Sequence, residues 1–443
     1  MIRRIAVKGY KSLRDVELTL KPLTVIIGPN ATGKSNLFDA LHLLKRIVRS
    51  RTLAEAFEEH RGDPIEAFSF GAEGISGLLK QEEARFTLEV DVELSESVIR
   101  RAEERIRAYS AQGKSNGDER ARSKGVRHYA PTSRYLRYRV AVAITPSTGV
   151  LRVVDESLLA LKQEKSGVLT PDERRQPFLE RVNDRLRLRM EGQARPTEYE
   201  INLSYAIASL PVHPPHYPHL IAFQEELESW QFYYFEPRLM REENPLKEAR
   251  RLTPSGGDLA AFYYTLKREH PLQFDNIQRV LREIVPSLQA FGVDLTEDGR
   301  LRLKVYETVD DQSVEFSAKV VSEGTLRLLG LMAILTHHSP ASVVALEEPE
   351  NGVHPRRLQL IAKMLQNASE HRQILVNTHS PILPEYFEES DTLAFVACRK
   401  ERGNTVFSSL LGGLYRKPES ADALEEQEQP TPISDRLLRG DLG

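Results

Sequence analysis

The sequence predicts an α/β fold that carries an additional antiparallel β layer. The apolar run Leu23–Ile27 indicates a buried strand, and helical apolar spacing follows it over Asn36–Val48. Residues 322–400 alternate helical and strand patterns, as a doubly wound sheet does. Between about 85 and 205, strand patterns separated by turn residues predict the antiparallel layer. These strands are Arg85–Leu94, Arg134–Thr145, Val150–Leu159 and Arg185–Met190.

Composition restricts the class of protein. The 443 residues suffice for two or three domain-sized units, and 40% hydrophobic with 28% charged residues is typical of a soluble globular protein. The N-terminus begins a strand pattern, not a signal peptide, and the apolar runs are too short to span a bilayer. A single cysteine, Cys398, excludes an internal disulfide framework. We therefore expect a cytoplasmic protein with no membrane partner.

The remaining elements follow in order. Residues 2–9 and 15–27 have strand patterns, 257–270 and 273–290 are helical with breaks at Pro271 and Pro286, and 293–321 return to strands. The Ser110–Lys124 segment is rich in Gly, Ser, Lys and Arg, which predicts a mobile loop. Four prolines over Pro211–Pro218 mark a boundary, and the acidic, proline-containing 417–432 predicts a linker.

The segment after the first buried strand is a complete G-x-x-x-x-G-K-S phosphate loop. Gly28 and Gly33 let backbone amides turn inward around phosphates, and Lys34 adds positive charge for the β- and γ-phosphates of ATP. Ser35 opens the following helix and offers a hydroxyl to Mg²⁺. The predicted nucleotide-binding residues of this segment are Gly28, Pro29, Asn30, Ala31, Thr32, Gly33, Lys34, Ser35 and Asn36.

Two carboxylates end a later apolar strand, Ser342–Leu346. A strand end beside a phosphate loop is where a carboxylate that organises Mg²⁺ belongs. Glu347 would hold the metal through water, and Glu348 would orient and activate the attacking water. The alternative is an ordinary strand followed by a solvated acidic turn.

Two further patterns flank these acids. Ser322-Glu-Gly-Thr325 precedes an apolar helical run, so Ser322 is either an ordinary helix cap or part of an anion-binding turn. His379 ends the apolar strand that starts at Ile374. A histidine there is a structural residue or, in a nucleotide site, a group that stabilises charge on the γ-phosphate.

The order of these motifs resembles the ABC-type ATPase layout of signature, Walker B, D-loop and switch histidine. About twenty residues separate the Ser-Gly turn from the acids, and about thirty more precede His379. The closer resemblance is to the SMC/RecF-like branch, and within it to bacterial predicted AAA-family ATPases related to the ATPase half of OLD proteins. Residues 95–225 match poorly. The segments that carry the resemblance are 5–13, 28–36, 229–241, 322–327, 346–355 and 377–381.

The resemblance implies a P-loop NTPase head of the ABC type that works as an ATP-dependent homodimer or a higher oligomer. Ser322, Gly324 and Thr325 would bind the γ-phosphate of ATP held by the other subunit. Residues 351–355 would form the D-loop at the dimer interface, and Gln231 would be a Q-loop residue near Mg²⁺.

This sequence departs from the wider ABC pattern in two places. The turn has Ser-Glu-Gly-Thr in place of Ser-Gly-Gly-Gln, and the first Walker B acid is Glu347 in place of Asp. Both variants are familiar in the branch that the chain resembles. The longer carboxylate at 347 would loosen the metal geometry and slow turnover.

The motifs and composition changes predict five regions. They are an N-terminal ATPase lobe with Walker A (1–95), an inserted strand-rich subdomain with a basic loop (96–225), a helical and strand lid region (226–320), a C-terminal ATPase lobe with signature, Walker B and switch histidine (321–416), and an acidic linker and tail (417–443).

Net charge gives no global basic field, since 61 basic residues face 64 acidic ones. Residues 100–139 are locally basic, with twelve Lys and Arg against four Asp and Glu, interleaved with tyrosines. Such a loop could track a DNA backbone and stack bases, or it could be a solvated surface loop. The tyrosines are Tyr109, Tyr129, Tyr135 and Tyr138.

OLD-type proteins follow their ATPase with a Toprim-like nuclease, and the roughly sixty residues after His379 are too few for one. The resemblance therefore predicts an ATPase that controls a separately encoded effector, as in bacterial anti-phage defence. Two alternatives remain. One is a RecF-like mediator of DNA repair, and the other is a scaffold that uses ATP occupancy to set its assembly state with little hydrolysis.

Overall fold

The computed structural model describes residues 1–112, 130–191, 195–211, 216–335 and 341–410. Spatial contacts divide the chain into two compact units. The first unit comprises Met1–Leu20, Thr32–Trp230 and Arg399–Phe407, and the second comprises Lys21–Ala31, Gln231–Cys398 and Ser408–Gly443. The boundary therefore cuts the phosphate loop between Ala31 and Thr32. The five regions expected from the sequence remain a prediction, because the two units are defined by contacts and not by sequence motifs.

Strands occur throughout the described ranges. They are β1 (Ile2–Tyr10), β2 (Leu13–Thr19), β3 (Leu23–Ile27), β4 (Ala84–Glu93), β5 (Tyr135–Thr145), β6 (Val150–Gln163), β7 (Leu169–Pro171), β8 (Leu179–Val182), β9 (Arg185–Leu188), β10 (Thr197–Glu200), β11 (Gln231–Tyr233), β12 (Asn244–Pro245), β13 (Leu288–Leu295), β14 (Arg300–Val309), β15 (Gln312–Ser317), β16 (Val343–Glu347), β17 (Gln373–Thr378), β18 (Leu393–Glu401) and β19 (Asn404–Ser409).

The helices of the same ranges follow. They are α1 (Lys34–Arg49), α2 (Leu53–Phe57), α3 (Gly74–Leu78), α4 (Glu96–Gln112), α5 (Pro218–Ser229), α6 (Pro237–Met240), α7 (Leu259–Glu269), α8 (Pro271–Ile284), α9 (Glu323–Leu335) and α10 (Leu358–Ser369). Short 3-10 turns lie at Pro64–Ala67, Ile207–Ser209, Ala318–Val320, Pro355–Arg357 and Leu383–Tyr386. None of the described helices is long and apolar enough to cross a membrane.

The antiparallel layer predicted from the sequence is present in the first unit. Its strands pair in the order β10-β9-β8-β6-β5-β4-β1-β2, and β7 also pairs with β6. Along β1, Ile5 and Val7 are buried while Lys8 is exposed, so apolar side chains cover one face and charged ones the other. The strand patterns at 85–94 and 134–145 correspond to β4 and β5, whose registers are antiparallel throughout.

A largely parallel sheet forms the core of the second unit and confirms the α/β prediction. Its order is β11-β16-β17-β3-β18-β19, and β3 lies between β17 and β18. The residues of β3 and β17 are all buried, as expected for strands covered on both faces. The register sets Glu347 beside Asn377 and Asn377 beside Ile26, so the carboxyl ends of β16, β17 and β3 meet at one edge.

A third, antiparallel sheet of the second unit contains β12, β14 and β13 in that order, with β15 paired to β14. The helical pair predicted before it is present as α7 and α8. The second helix ends at Ile284 and not at 290, since Pro286 lacks the N–H that would continue it and β13 begins at Leu288. Aromatic rings tie these elements together, with Tyr263 and Phe291 centroids 4.6 Å apart.

The prediction of a basic loop over residues 100–139 is wrong for its described parts. Residues up to 112 belong to α4, and residues from 135 belong to β5. Arg101 and Arg105 of α4 form ion pairs with Glu225 of α5, at 3.7 and 3.1 Å. Tyr138 is fully buried and donates its hydroxyl to Glu156 at 2.9 Å.

Other predicted irregular segments lie wholly or partly outside the described residues. They are the Ser110–Lys124 loop from residue 113 onwards, the centre of Pro211–Pro218, and the acidic linker and tail at 417–443.

Candidate nucleotide-binding site

The phosphate loop connects β3 to α1. Its last glycine, Gly33, is the N-cap of α1 with a left-handed backbone (φ 103°), and no side chain caps the helix. The first turn of α1 holds no acidic residue, and the side chain of Lys34 is buried. A helix N-terminus with a lysine and no carboxylate favours an anion, so this segment fits a polyphosphate.

Glu348 begins the turn that follows β16. Its backbone is left-handed (φ 45°), which is uncommon for a residue with a side chain. Its N–H donates to both oxygens of Asn377, at 3.0 Å to the backbone carbonyl and 3.2 Å to Oδ1. Asn377 therefore fixes the turn against the end of β17.

The two predicted catalytic residues contact each other. The Glu348 Oε1 atom lies 2.8 Å from His379 Nδ1, and both side chains are partly exposed. A carboxylate can accept a proton from water, and a histidine can hold or donate one near neutral pH. The structure thus brings into contact two side chains that the sequence predicted as separate catalytic groups.

Contacts of Thr378 stabilise the two turns that carry Glu348 and His379. The hydroxyl of Thr378 contacts the carboxylate of Glu350, and the Ser380 N–H donates to Thr378 Oγ1 at 2.9 Å. Glu350 is 7% exposed, and burial raises the pKa of its carboxyl. Its second oxygen, Oε2, is buried without a hydrogen-bond partner. Residues 377, 378 and 379 thus each hold part of the turn at 348–350.

The predicted signature turn lies at the start of α9. Ser322 Oγ accepts from Thr325 N at 3.2 Å and contacts Thr325 Oγ1 at 2.8 Å, so Ser322 is the helix cap. Ser322 itself is exposed. A Cβ atom added to Gly324 would lie 2.1 Å from the Gly352 carbonyl oxygen. Only glycine allows this approach, which joins the signature turn to the predicted D-loop of the same chain.

Two arginines near these turns were not identified from the sequence. Arg241 donates to the Val321 carbonyl at 3.1 Å, directly before Ser322. Arg327, one turn into α9, is half-buried, and burial lowers the pKa of its guanidinium. The charges of Glu323, Glu348 and Glu350 oppose that shift, so Arg327 lies within electrostatic reach of the acidic turn. Isolated arginines carry no motif, and only the fold reveals these positions.

The position of Gln231 in the sheet gives no support to its predicted role near Mg²⁺. Gln231 pairs with Val344 in β16, three residues before Glu347, which corresponds to about 10 Å along a strand. Its Oε1 accepts from the Tyr233 hydroxyl at 2.9 Å. We therefore do not include Gln231 among the proposed metal ligands.

Glu347 and Ser35 each carry an oxygen of the kind that Mg²⁺ takes when it binds with a nucleotide. No group of three or more His, Cys, Asp or Glu in the described ranges could hold a metal by itself. Magnesium keeps several waters and commonly takes one or two protein oxygens plus phosphate oxygens. Glu347 ends β16 at the carboxyl edge, and Ser35 stands in the first turn of α1, where a hydroxyl ligand is expected.

Comparisons with known proteins give matches to two ATPase families. Residues 1–123 match a family described as "AAA ATPase domain", and residues 164–383 match "AAA domain, putative AbiEii toxin, Type IV TA system". An OLD nuclease of Thermus scotoductus is 43% identical over 44 residues, which are 10% of this chain and 8% of that protein. The match thus covers less than a tenth of that relative.

Solved structures of SMC heads are similar in fold. An SMC head bound to the C-winged helix domain of ScpA aligns with a TM-score of 0.52 and 12% identity, over 92% of this chain and 97% of that chain. An SMC head domain from Thermotoga maritima aligns with a TM-score of 0.39 and 14% identity, over 92% and 98%. The first alignment agrees with the α/β class and the antiparallel layer described above. The two ATPase family matches and the partial OLD match support a resemblance to the SMC/OLD-like branch of the ABC-type ATPases, and the structural alignment agrees with it in fold.

Proposed function

We propose that the chain binds ATP with Mg²⁺ and hydrolyses it in a site that a second copy of the chain completes. The observation that carries this proposal is the 2.8 Å contact between Glu348 and His379. It lies at the edge where β16 and β17 end beside β3, the strand that leads into the phosphate loop. Acid–base groups at such an edge are suited to activating water for phosphoryl transfer.

Each residue has a distinct role in this proposal. Lys34 and the backbone amides of the phosphate loop would bind the phosphates. Ser35 and Glu347 would each offer an oxygen to Mg²⁺, which when bound neutralises charge on the phosphate oxygens. Glu348 orients the attacking water and accepts its proton. His379, held through Nδ1 by Glu348, has its other ring nitrogen for the transferred phosphoryl group.

The test is Glu348→Gln, which keeps the shape of the side chain and removes the base. We expect the kcat for ATP hydrolysis to fall at least about a hundredfold, the usual contribution of a general base, with ATP affinity nearly unchanged. Glu82→Gln, an exposed position outside the site, is the matched control and should turn over ATP normally. Undiminished turnover in Glu348→Gln would exclude Glu348 as the base.

The second copy enters the proposal because the predicted signature turn begins with an exposed residue. Ser322 caps α9 and is open to solvent, so its side chain is accessible from outside the subunit. ATP would then join two heads, and hydrolysis would release them. In this proposal the homodimer is the species that hydrolyses ATP.

The biological role that we propose is control of a separately encoded effector in anti-phage defence. The names of the matched proteins support it, since one is a nuclease of the OLD type and one family description refers to a toxin system. Co-expression with the product of a neighbouring nuclease or toxin gene should give a complex whose activity depends on ATP. If the effector acts equally with Lys34→Ala, the ATPase does not control it.

A RecF-like action on DNA is the second candidate, and the ion pairs of the basic segment weigh against it. Arg101 and Arg105 are paired with Glu225, and Arg137 is paired with Asp91 at 2.6 Å. ATP turnover measured with and without duplex DNA separates the candidates. Stimulation by DNA that weakens between 50 and 200 mM salt would favour the DNA role. ATP-driven dimers with negligible turnover would favour a scaffold.

A further inference from the structure

A chain of hydrogen bonds spans the C-terminal part of the phosphate loop, entirely within the first unit. Asn36 Nδ2, in the first turn of α1, donates to Ser12 Oγ at 2.8 Å. Ser12 Oγ lies 2.6 Å from Thr405 Oγ1, and Thr405 Oγ1 donates to the Thr32 carbonyl at 2.7 Å. The chain starts one residue after Ser35 and ends one residue before Gly33, so it brackets residues 33–35.

The direction of each hydrogen bond follows from the number of protons. Thr405 has one hydroxyl proton, and the Thr32 carbonyl can only accept, so that proton goes to Thr32. The Ser12 hydroxyl must then donate to Thr405 Oγ1, which leaves a Ser12 lone pair for the Asn36 amide. A backbone bond from Thr405 N to Ser12 O, 2.9 Å long, fixes the same two residues to each other.

This arrangement determines which way the loop amides point. In a trans peptide the C=O of one residue and the N–H of the next point in opposite directions. Thr405 holds the Thr32 carbonyl on the Ser12 side, so the Gly33 N–H is turned to the opposite side. A carbonyl turned the other way would present a negative dipole to a phosphate in place of a donor.

The packing behind the loop is tight as well. A Cβ atom on Gly33 would lie 2.0 Å from Thr405 Oγ1 and 2.7 Å from Ser12 Oγ. Thr405 is 3% exposed, so its hydroxyl exchanges no hydrogen bonds with bulk water. These contacts therefore hold the Thr32–Gly33 peptide in its orientation.

We propose that Ser12, Asn36 and Thr405 are positioning residues that preset the phosphate loop for the polyphosphate of a nucleotide. They contact the loop on the side of the Thr32 carbonyl, and they act by orienting the Thr32–Gly33 peptide. The proposal rests on ATP being the ligand of the loop. It adds residues at 12 and 405 that belong to neither the G-x-x-x-x-G-K-S segment nor the later motifs.

The test compares Thr405→Val with Thr405→Ser, using calorimetric titration with ADP and with a non-hydrolysable ATP analogue. Valine keeps the shape but cannot donate to Thr32, so we expect the Kd for both nucleotides to rise about tenfold, as for one lost buried hydrogen bond. Serine keeps the hydroxyl and should restore the Kd to within about threefold. At saturating ATP the kcat of Thr405→Val should stay close to that of the wild type, because no reacting group is lost.

Thr265→Val is the matched control, since Thr265 is also buried and hydrogen-bonded but lies on α7. It should lower the melting temperature as much as Thr405→Val does and leave the Kd unchanged. The proposal is overturned if Thr405→Val binds nucleotide like the wild type, if serine does not rescue, or if Thr265→Val weakens binding equally. A wild-type protein that binds no nucleotide would instead refute the proposed function.

Discussion

At the scale of single residues, Glu348 combines a strained backbone with a chemical role. A left-handed conformation costs a side-chain-bearing residue roughly 1–2 kcal/mol. Two hydrogen bonds from its N–H to Asn377 compensate, and the resulting turn directs the carboxylate to His379 at 2.8 Å. The strain is therefore retained where it orients the side chain that we propose as the base.

Thr378→Val tests whether the support beneath this pair matters for turnover. The change removes the hydroxyl that contacts Glu350 and accepts from Ser380, so His379 loses the restraint on its backbone. We expect the kcat to fall about tenfold with unchanged ATP affinity, as when a reacting group is displaced and not removed. Steady-state kinetics would show the lower kcat together with the unchanged affinity. Thr378→Ser, which keeps the hydroxyl, should recover most of the lost kcat. A fall in affinity with normal kcat would contradict this role.

The sequence predicted Glu348 and His379 but not the residues that hold them. The sequence reveals these two residues because titratable side chains are rare at the ends of apolar strands. Two acids follow one such strand, and a histidine follows the next strand. Asn377, Thr378 and Glu350 have ordinary types for a strand end and a turn. Their roles arise from contacts across 28 to 29 residues of sequence, which no local pattern specifies.

At the scale of elements, the predicted signature turn at the start of α9 and the predicted Walker B turn after β16 pack directly against each other. The Gly324–Gly352 approach joins the start of α9 to the turn after β16, and Arg241 fixes the residue before Ser322. Backbones in contact without intervening side chains cannot shift independently.

Ser322→Arg tests whether this turn completes a neighbouring site. A bulky cation at an exposed cap should block docking of a second head without disturbing the phosphate loop. We expect ATP affinity of the monomer to stay normal, while ATP-dependent dimers, measured by light scattering in the Glu348→Gln background, disappear. Ser313→Arg, on the exposed part of β15, is the matched control and should dimerise. Dimers that persist in Ser322→Arg would exclude the shared site.

Helix α4 lies where the sequence predicts a loop, and the difference has a physical reason. Its high charge and the Gly- and Ser-rich segment after it suggested a loop. Val98, Ala102 and Ile106 are nevertheless spaced four apart and buried, which is a helical apolar stripe. The strands, in contrast, were predicted closely because alternation and buried apolar runs are strong local signals.

At the scale of the whole molecule, stability should depend on pH through Glu156. This carboxylate is fully buried in the first unit and accepts from Tyr138, Ile207 and Ala208. Burial raises its pKa from 4.5 to about 7, although the hydrogen bonds oppose the shift. Between these two values the folded protein keeps a proton that the unfolded chain releases, so stability falls as pH rises through this window.

The loss would amount to about 3 kcal/mol and would be complete above pH 7. We expect the melting temperature of the wild type to decrease between pH 5 and pH 7.5, and Glu156→Gln to flatten that slope because it has no proton to release. Glu82→Gln, which alters an exposed carboxylate, should keep the slope of the wild type. Equal slopes in wild type and Glu156→Gln would exclude Glu156 as the cause.

The bond between Thr405 and Thr32 also constrains the order of events on the ribosome. The two residues are 373 positions apart, so at about 5–20 residues per second the loop exists for roughly 20–75 seconds before its support is made. In the same interval β3 lacks both of its neighbours, since β17 and β18 are synthesised late. A nascent chain therefore lacks the hydrogen bond that orients the Thr32–Gly33 peptide until translation has passed residue 405.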